Sequence, residues 1–510
     1  MEKIVADIRS DYLSGADSLR SFYQYPLRGA DYGAIIEAKK GHALDRDGLA
    51  NELLRQNRHL PNVDATLARI ESLRDRQTFT VTTGHQLVLM AGPMYTLYKI
   101  AHTIQLAAAI QKKHPDYKIV PIFWMATEDH DWEEINHFQT GFQEKHVYAG
   151  HFAGPVGRHV LEDSITAALP GNLPEMLKGI FVPGRNYADA FRSLIHRLFG
   201  HTGLVIMDAD SAALKRMFLP GLGRELEGQG MYAPIAATNA ALEAKGYKRQ
   251  IYARPINLFY IGDGERHSIE SDEEGFSLKG AETRWTRPEM FDLLKAHPEH
   301  FSPNVAARPL FQESILPNLT YIGGWAEMAY WMQLKAGFEA AGVNFPLLVP
   351  RMSATLLRPE QAESVAQLGF EPQDLDTPLH ILQDELLKRT WSGEELNSAR
   401  DQVISAYDNL ISYLEGIDPT LAISVRAEQA KSNKSLDRLD KKVRKAKRNQ
   451  NPAPFQQIKD LKSAIAPENT QQQRSLNLTA FSSISPIELA QLCLDHCQPE
   501  EFTHQWITLP

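Results

Sequence analysis

Apolar and polar positions change rhythm several times along this chain, and each change marks an element. Residues 1 to about 75 read as a charged helical segment, with Tyr23, Tyr25 and Pro26 marking a loop. Phe79-Thr80-Val81-Thr82-Thr83-Gly84 is then β-branched and stops at glycine, which predicts a strand. From Pro93 to about Lys113, Leu97, Ile100, Ile104 and Ala108 fall on one stripe, which predicts a long helix with proline in its first turn. Lys118 to Ala126 is a nearly continuous apolar run, the pattern of a parallel strand covered on both faces. Gly203–Asp208 and Phe345–Pro350 repeat that pattern after further helical stretches. Strand and helix in alternation predict an α/β fold with a doubly wound parallel sheet. Two excursions interrupt it, a turn-rich one at about 140–185 and another at about 220–300, where RPINLFYIGDGERHSIE reads as a hairpin.

Beyond Arg351 the pattern becomes helical. Leu396, Val403, Leu410 and Ile417 recur every seven residues, with Ala399, Ala406 and Tyr413 on the alternate seam. Pro419 interrupts, and Leu436, Leu439, Val443 and Ala446 mark a second helix that can fold back on the first as an antiparallel coiled coil. A shorter helix with Phe455, Ile458 and Leu461 follows Pro452 and Pro454. The expected division is a helical segment at 1–75, an α/β core at 76–385, a coiled-coil arm at 386–466 and a C-terminal segment at 467–510.

Composition narrows the class. Hydrophobic residues at 43% and charged residues at 23% are those of a globular protein, and no apolar run reaches the roughly 20 residues of a membrane span. The opening MEKIVADIRSDYLSGADSLRSFY lacks the apolar stretch of a secretory signal, so a cytoplasmic location is expected. Cys493 and Cys497 flank His496 at helical spacing, but nothing nearby completes a metal site; zinc is not expected. The net charge of −9 argues against a general nucleic-acid binder, although Lys431, Lys434, Arg438, Lys441, Lys442, Arg444, Lys445, Lys447 and Arg448 make one arm helix strongly basic. A scaffold or nucleic-acid protein using that arm is the rival reading from outside enzymology.

Three segments could carry chemistry. The first runs from Gly84, His85 and Gln86 through Gly92, Pro93, Tyr95 and Thr96 to Lys99, between the first strand and the first long helix. Glycines there admit a ligand close to the backbone, helix N-terminal amides favour an anion, and His85, Thr96 and Lys99 add donors. No nucleotide-binding fingerprint of the Walker or dinucleotide kind is present. The second follows Trp124 at the end of the next strand: Glu128, Asp129, His130, Asp131, Glu133, Glu134 and His137 place five carboxylates and two imidazoles within ten residues. Such crowding suits acid/base work or Mg²⁺, against the plainer reading of an acid-rich helix start. The third holds Asn304, Arg308 and Gln312, then Tyr321, Gly323, Gly324 and Glu327. Arg308 could clamp a carboxylate and the glycine pair could cradle an anion, unless the stretch is only a helix pair joined by a tight turn.

These segments, TTGHQLVLMAGPMYTLYK, PIFWMATEDHDWEEINHF and SPNVAARPLFQESILPNLTYIGGWAEMAYW, resemble in order the motifs of the cysteine-adding ligase family of bacillithiol biosynthesis. The chain departs from the family pattern at His85, where glutamine is usual, and at Trp325-Ala326, where proline-glycine is usual. The resemblance implies a Rossmann-like core related to class I aminoacyl-tRNA synthetases, with connecting-peptide insertions and a coiled coil that pairs two copies. It also implies a reaction, amide formation between the carboxyl of cysteine and the glucosamine amine of glucosaminyl malate. ATP or another nucleotide is expected to activate the carboxylate, with Mg²⁺ as an optional companion. In this reading Lys99 and the turn before it hold the nucleotide, His130, Asp131 or Glu133 takes the amine proton, and Arg308 grips malate. The runner-up among enzymes is an adenylyltransferase or ligase acting on another amino sugar. All of this requires that the turn after Thr83 and the acidic stretch after Ala126 face one cavity.

Overall fold

The computed structural model describes residues 7–141, 144–150, 152–262, 264–467 and 470–510. The chain forms two compact units, Met1–Ala354 with Gln473–Gln505, and Thr355–Gln472 with Trp506–Pro510. In chain order the strands of the first unit are β1 (Thr78–His85), β2 (Lys118–Met125), β3 (His137–Gly141), β4 (Glu144–Val147), β5 (Val205–Asp208), β6 (Leu258–Gly262), β7 (Glu265–Asp272), β8 (Gly275–Leu278), β9 (Arg284–Trp285), β10 (Phe301–Pro303), β11 (Asn318–Gly323) and β12 (Leu347–Pro350).

The central sheet has the order β12-β11-β1-β2-β5 and is parallel throughout. From β1 the chain winds outward through β2 to β5, then returns to the other side of β1 with β11 and β12. The reversal leaves a crevice at the carboxyl ends of β1 and β11, where open α/β sheets accept ligands. The long helix Tyr95–Lys113 connects β1 to β2 and buries Leu97, Ile100, Ile104, Leu106 and Ile110.

The sequence pattern did not reveal β11. Its Asn318 and Thr320 break an apolar run, yet both are fully buried. Asn318 accepts hydrogen bonds from Thr80 and Thr82 of β1, at 3.1 and 2.9 Å, and donates to the Glu313 carboxylate at 2.6 Å. Partners on neighbouring elements therefore make a buried asparagine affordable inside the sheet. The excursion at 220–300 contains the expected hairpin, β6 against β7, within an antiparallel sheet β10-β6-β7-β8-β9; Asp263 at its tip lies outside the described residues. Among its described residues, the turn-rich excursion contains the short hairpin β3–β4 and brief helical turns.

The second unit begins at Thr355, earlier than the expected arm. Helices Pro359–Gln367 and Leu379–Thr390 bury Val365, Leu382 and Leu386 against Ile458, Leu461 and Ile465, so their apolar faces belong to the helical unit and not to the sheet. Glu394–Glu415 and Pro419–Gln450 form the antiparallel pair, tied by Arg400 to Asp437 at 2.6 Å and Gln429 to Asp408 at 2.7 Å. Part of the basic run is neutralised inside this unit, Arg444 by Asp440 at 2.7 Å and Arg448 by Asp384.

Candidate functional site

At the carboxyl ends of β1, β2 and β11 lies a cavity of about 630 Å³. Gly84, His85, Gln86, Tyr95 and Lys99 line one side, Trp124, Glu128 and Asp129 another, and Asn304, Arg308, Tyr321, Gly324 and Glu327 a third. The turn after Thr83 and the acidic stretch after Ala126 therefore do share one space. They are also bonded: the Gln86 amide donates to Asp129 at 2.6 Å and to Glu134 at 2.7 Å, and the Ala126 N–H donates to the His85 carbonyl at 2.9 Å.

Lys99 reaches back from the start of the second turn of its helix. Its ammonium donates to the Gly84 carbonyl at 2.8 Å and pairs with Glu327 at 2.5 Å. Glu327 also accepts from the Tyr321 hydroxyl at 2.7 Å and from the Gly324 N–H at 2.8 Å. Burial alone would raise the Glu327 carboxyl, but Lys99 and these donors outweigh it and hold it down at about 2. His85 packs edge-on to Tyr95, ring centroids 5.1 Å apart, and its Nε2 is shut off from solvent without a hydrogen-bond partner. Burial, reinforced by Lys99, pushes the imidazole down to about 3, so it is neutral near neutral pH.

Several expected contacts have other duties. Gly92, Pro93 and Thr96 do not line the cavity. The segment Leu87–Ala91 is buried, and Asn477 donates to the carbonyls of Met90 and Gly92 at 2.7 and 2.9 Å. The helix N-terminus is likewise occupied, with Met94 N–H donating to Leu476 and Thr96 N–H to Pro93. An anion cannot use those amides, because the protein's own carbonyls already do. The glycine pair fares similarly: Gly323 lies outside the lining, and the Gly324 amide is taken by Glu327.

The acidic stretch divides. Glu128 and Asp129 face the cavity, whereas Asp131 and Glu133 are exposed and outside its lining. Asp131 caps the short helix Trp132–Ile135 by accepting from the Glu134 N–H, so its type reflects local geometry. Trp132 serves the fold as well, donating to the Gly150 carbonyl at 2.9 Å and packing on Tyr148 and His159. His130 is exposed and outside the lining, accepting at Nδ1 from Arg266 at 3.1 Å, and His137 sits in the β3–β4 hairpin beside Asn136. Glu128 is buried over Lys215, 2.7 Å away, and Lys215 also holds Asp210 at 3.0 Å. Burial raises the Glu128 carboxyl despite that ammonium.

Arg308 stands among Trp124, Tyr321 and Trp331, 5.7, 5.8 and 6.0 Å from their ring centres. One guanidinium nitrogen donates to Gln312 at 3.0 Å, which places Gln312 behind the wall; Nη2 is shielded and has no hydrogen-bond partner. Asn304 uses its carbonyl on the Ala306 N–H at 2.8 Å and lines the cavity from the start of that turn.

Sequence reasoning missed four more cations on the lining, Arg254, Arg266, Arg351 and Arg474. They come from the side sheet and the segment leading into it, from the end of β12 and from the C-terminal segment, and no local pattern joins them. Arg266 lies 4.0 Å over the Phe259 ring and donates to Ser302, while Arg351 lies 4.9 Å over Tyr95 and donates to Gln473 at 2.8 Å. With Lys99 and Arg308 they bring six cationic side chains to a cavity with three carboxylates, Glu128, Asp129 and Glu327. Lys99 already satisfies Glu327, and Lys215 lies beneath Glu128. In a chain of net charge −9, this is a local field built for anions.

Two successive parts of the chain match the domains of a known family. Residues 2–352 match "Bacillithiol biosynthesis BshC, N-terminal Rossmann-like domain", and residues 354–509 match "Bacillithiol biosynthesis BshC, C-terminal coiled-coil domain". Relatives named cysteine ligase BshC include one from Flavobacterium johnsoniae, 35% identical over 98% of this chain and 96% of that protein. Another, from Christiangramia forsetii, is 34% identical over the same shares, and one from Cytophaga hutchinsonii is 32% identical over 96% and 94%. With both family domains matched in order along nearly its whole length, and with the three motifs gathered around one cavity, this chain belongs to the BshC family of bacillithiol biosynthesis.

Proposed function

We propose that the cavity joins the carboxyl group of cysteine to the glucosamine amine of glucosaminyl malate, the amide-forming step that yields bacillithiol. One observation carries the reading beyond family membership: six cations surround a space in which Arg308 Nη2 and His85 Nε2 lack partners. A buried guanidinium nitrogen without a partner is costly, and a carboxylate or phosphate would satisfy it; the neutral His85 ring can offer Nε2 as donor or acceptor. Arg308, in its aromatic surround, suits a malate carboxylate. Lys99, Arg351 and Arg474 would face the more highly charged activating group.

ATP or another nucleotide, when bound, supplies the leaving group that a free carboxylate lacks, and Mg²⁺ would arrive with its phosphates. The chain's own part is to orient two anionic partners, offset their repulsion and accept a proton. As the amine nitrogen bonds to the carboxyl carbon, the bond from that carbon to its leaving oxygen breaks and the nitrogen loses a proton. Glu128 is the acceptor we assign, because it faces the cavity and burial raises its basicity, whereas Asp131 and Glu133 point to solvent. Lys99 and the arginines counter the negative charge that grows on the carbonyl oxygen.

Incubating the purified protein with cysteine, glucosaminyl malate and ATP, with mass spectrometry as readout, tests the assignment. Bacillithiol is the expected product, and Arg308→Ala and Glu128→Gln are each expected to lower its rate roughly 100-fold. Faster turnover of a different amino sugar, or an undiminished rate in both variants, would reject it.

The arm supports pairing of two copies in the cytoplasm. No helix among the described residues is long and apolar enough to cross a membrane, yet Tyr413, Ile417 and Ile423 are 68%, 61% and 68% exposed. Ile417→Asp with Ile423→Asp should convert a dimer to a monomer in analytical ultracentrifugation.

A further inference from the structure

Between the helix Arg287–Ala296 and β10 the chain makes the turn His297-Pro298-Glu299-His300. Among the described residues this is the group in which three imidazole or carboxylate donors converge, one atom from each lying within 4.8 Å of the others. His297 Nδ1 is 3.1 Å from Glu299 Oε1, and the two imidazole rings lie nearly parallel, 5.2 Å apart. The second carboxylate oxygen, Glu299 Oε2, is shut off from solvent and has no hydrogen-bond partner.

The turn is held from outside. Arg158 and Lys215 both donate to the Glu299 carbonyl, each at 3.2 Å, and the His300 N–H donates to the His297 carbonyl at 3.0 Å. His300 Nδ1 faces the Tyr260 hydroxyl at 3.2 Å. That contact orients the ring and leaves Nε2 to the ligand, as an orienting hydrogen bond does for metal-bound histidines.

We propose that His297, Glu299 and His300 bind a divalent transition ion of the Zn²⁺ or Co²⁺ type, with water completing the shell. Two imidazole nitrogens and one carboxylate oxygen are a borderline donor set that favours such ions over Mg²⁺ or Ca²⁺. Bonds of about 2.0–2.1 Å bring tetrahedral donors to about 3.4 Å from one another, a contraction that side-chain rotation supplies. The ion would neutralise the stranded Glu299 oxygen and brace the segment entering β10, whose Pro303 and the following Asn304 line the cavity. The site does not depend on the ligase reading.

Co²⁺ titration of chelator-treated full-length protein, followed by visible absorption, tests it. One equivalent with a saturable d–d band is expected. His297→Ala, on an exposed side chain, should weaken uptake roughly tenfold or more at unchanged melting temperature in metal-free buffer, and the double variant with His300→Ala should weaken it further. Cys493→Ser with Cys497→Ser should leave the band intact. Absence of a saturable band, a band unchanged by the histidine substitutions, or one lost with the cysteines would overturn the proposal.

Discussion

Lys99 and Glu327 show how a single pair can serve both fold and site. The Lys99 side chain is 3% exposed, so its charge depends on the carboxylate 2.5 Å away. Glu327→Gln leaves that ammonium buried without a counter-charge, and a loss of about 3–5 kcal/mol in urea unfolding is expected. Adding Lys99→Met to that variant should restore part of the stability while activity stays lost, which separates the pair's structural from its chemical contribution. His85 makes a pH prediction. Its folded value of about 3 lies below the ordinary 6.5, and His102 is held near 4, in both cases chiefly by burial. Between those folded values and 6.5 the unfolded chain binds protons that the native protein refuses, so stability falls as pH falls through that window. His85→Gln should make the unfolding free energy less steep between pH 6.5 and 3 by up to about one proton. An unchanged slope would show that the ring is not enclosed as described.

At the scale of elements, the turn between β1 and the helix Tyr95–Lys113 fixes where Lys99 begins its reach. Met90 and Ala91 have φ of 56° and 67°, and Gly92 has φ 62° with ψ −156°, a region that side chains avoid. A Cβ on Gly92 would also stand 2.7 Å from that of Val88. Gly92→Ala is therefore expected to cost about 1–3 kcal/mol and to lower activity by displacing Lys99, although position 92 does not touch the cavity. Thermal unfolding and turnover of the variant check both parts. The sequence made this glycine visible, but it suggested direct ligand contact; the observed role is geometric, because the backbone around it is already satisfied by Asn477.

For the whole molecule, the decisive feature is that the chain returns to its first unit. Gln473–Gln505 supplies Arg474 to the cavity, Asn477 to the β1 turn and the helix Pro486–Asp495 to the back of Tyr95–Lys113, where Gln105 donates to the Leu494 carbonyl at 2.9 Å. Truncation after Gln472 should uncover that helix face and leave the Met90 and Gly92 carbonyls unpaired. The expected outcome is loss of cooperative thermal unfolding, not a folded but inactive core. A truncated chain that melts cooperatively would contradict this dependence.

What the sequence determined by itself was whatever depends on near neighbours. The apolar runs at β1, β2, β5 and β12, the stripe from Leu97 to Ala108 and the heptads from Leu396 to Ile417 each encode their own periodicity, and the three motifs encode the family. The tertiary structure alone decided which chemically capable residues are available for chemistry. Asp131 became a cap, the Gly324 amide was spent on Glu327, and Arg254, Arg266, Arg351 and Arg474 joined the cavity from distant stretches. It also made a strand of Asn318–Gly323, whose Asn318 is stable there only because Thr80, Thr82 and Glu313 meet it. The physical reason is common to all of these: periodicity is a local property of the chain, whereas burial, charge pairing and hydrogen-bond satisfaction depend on residues brought together only when the sheet closes.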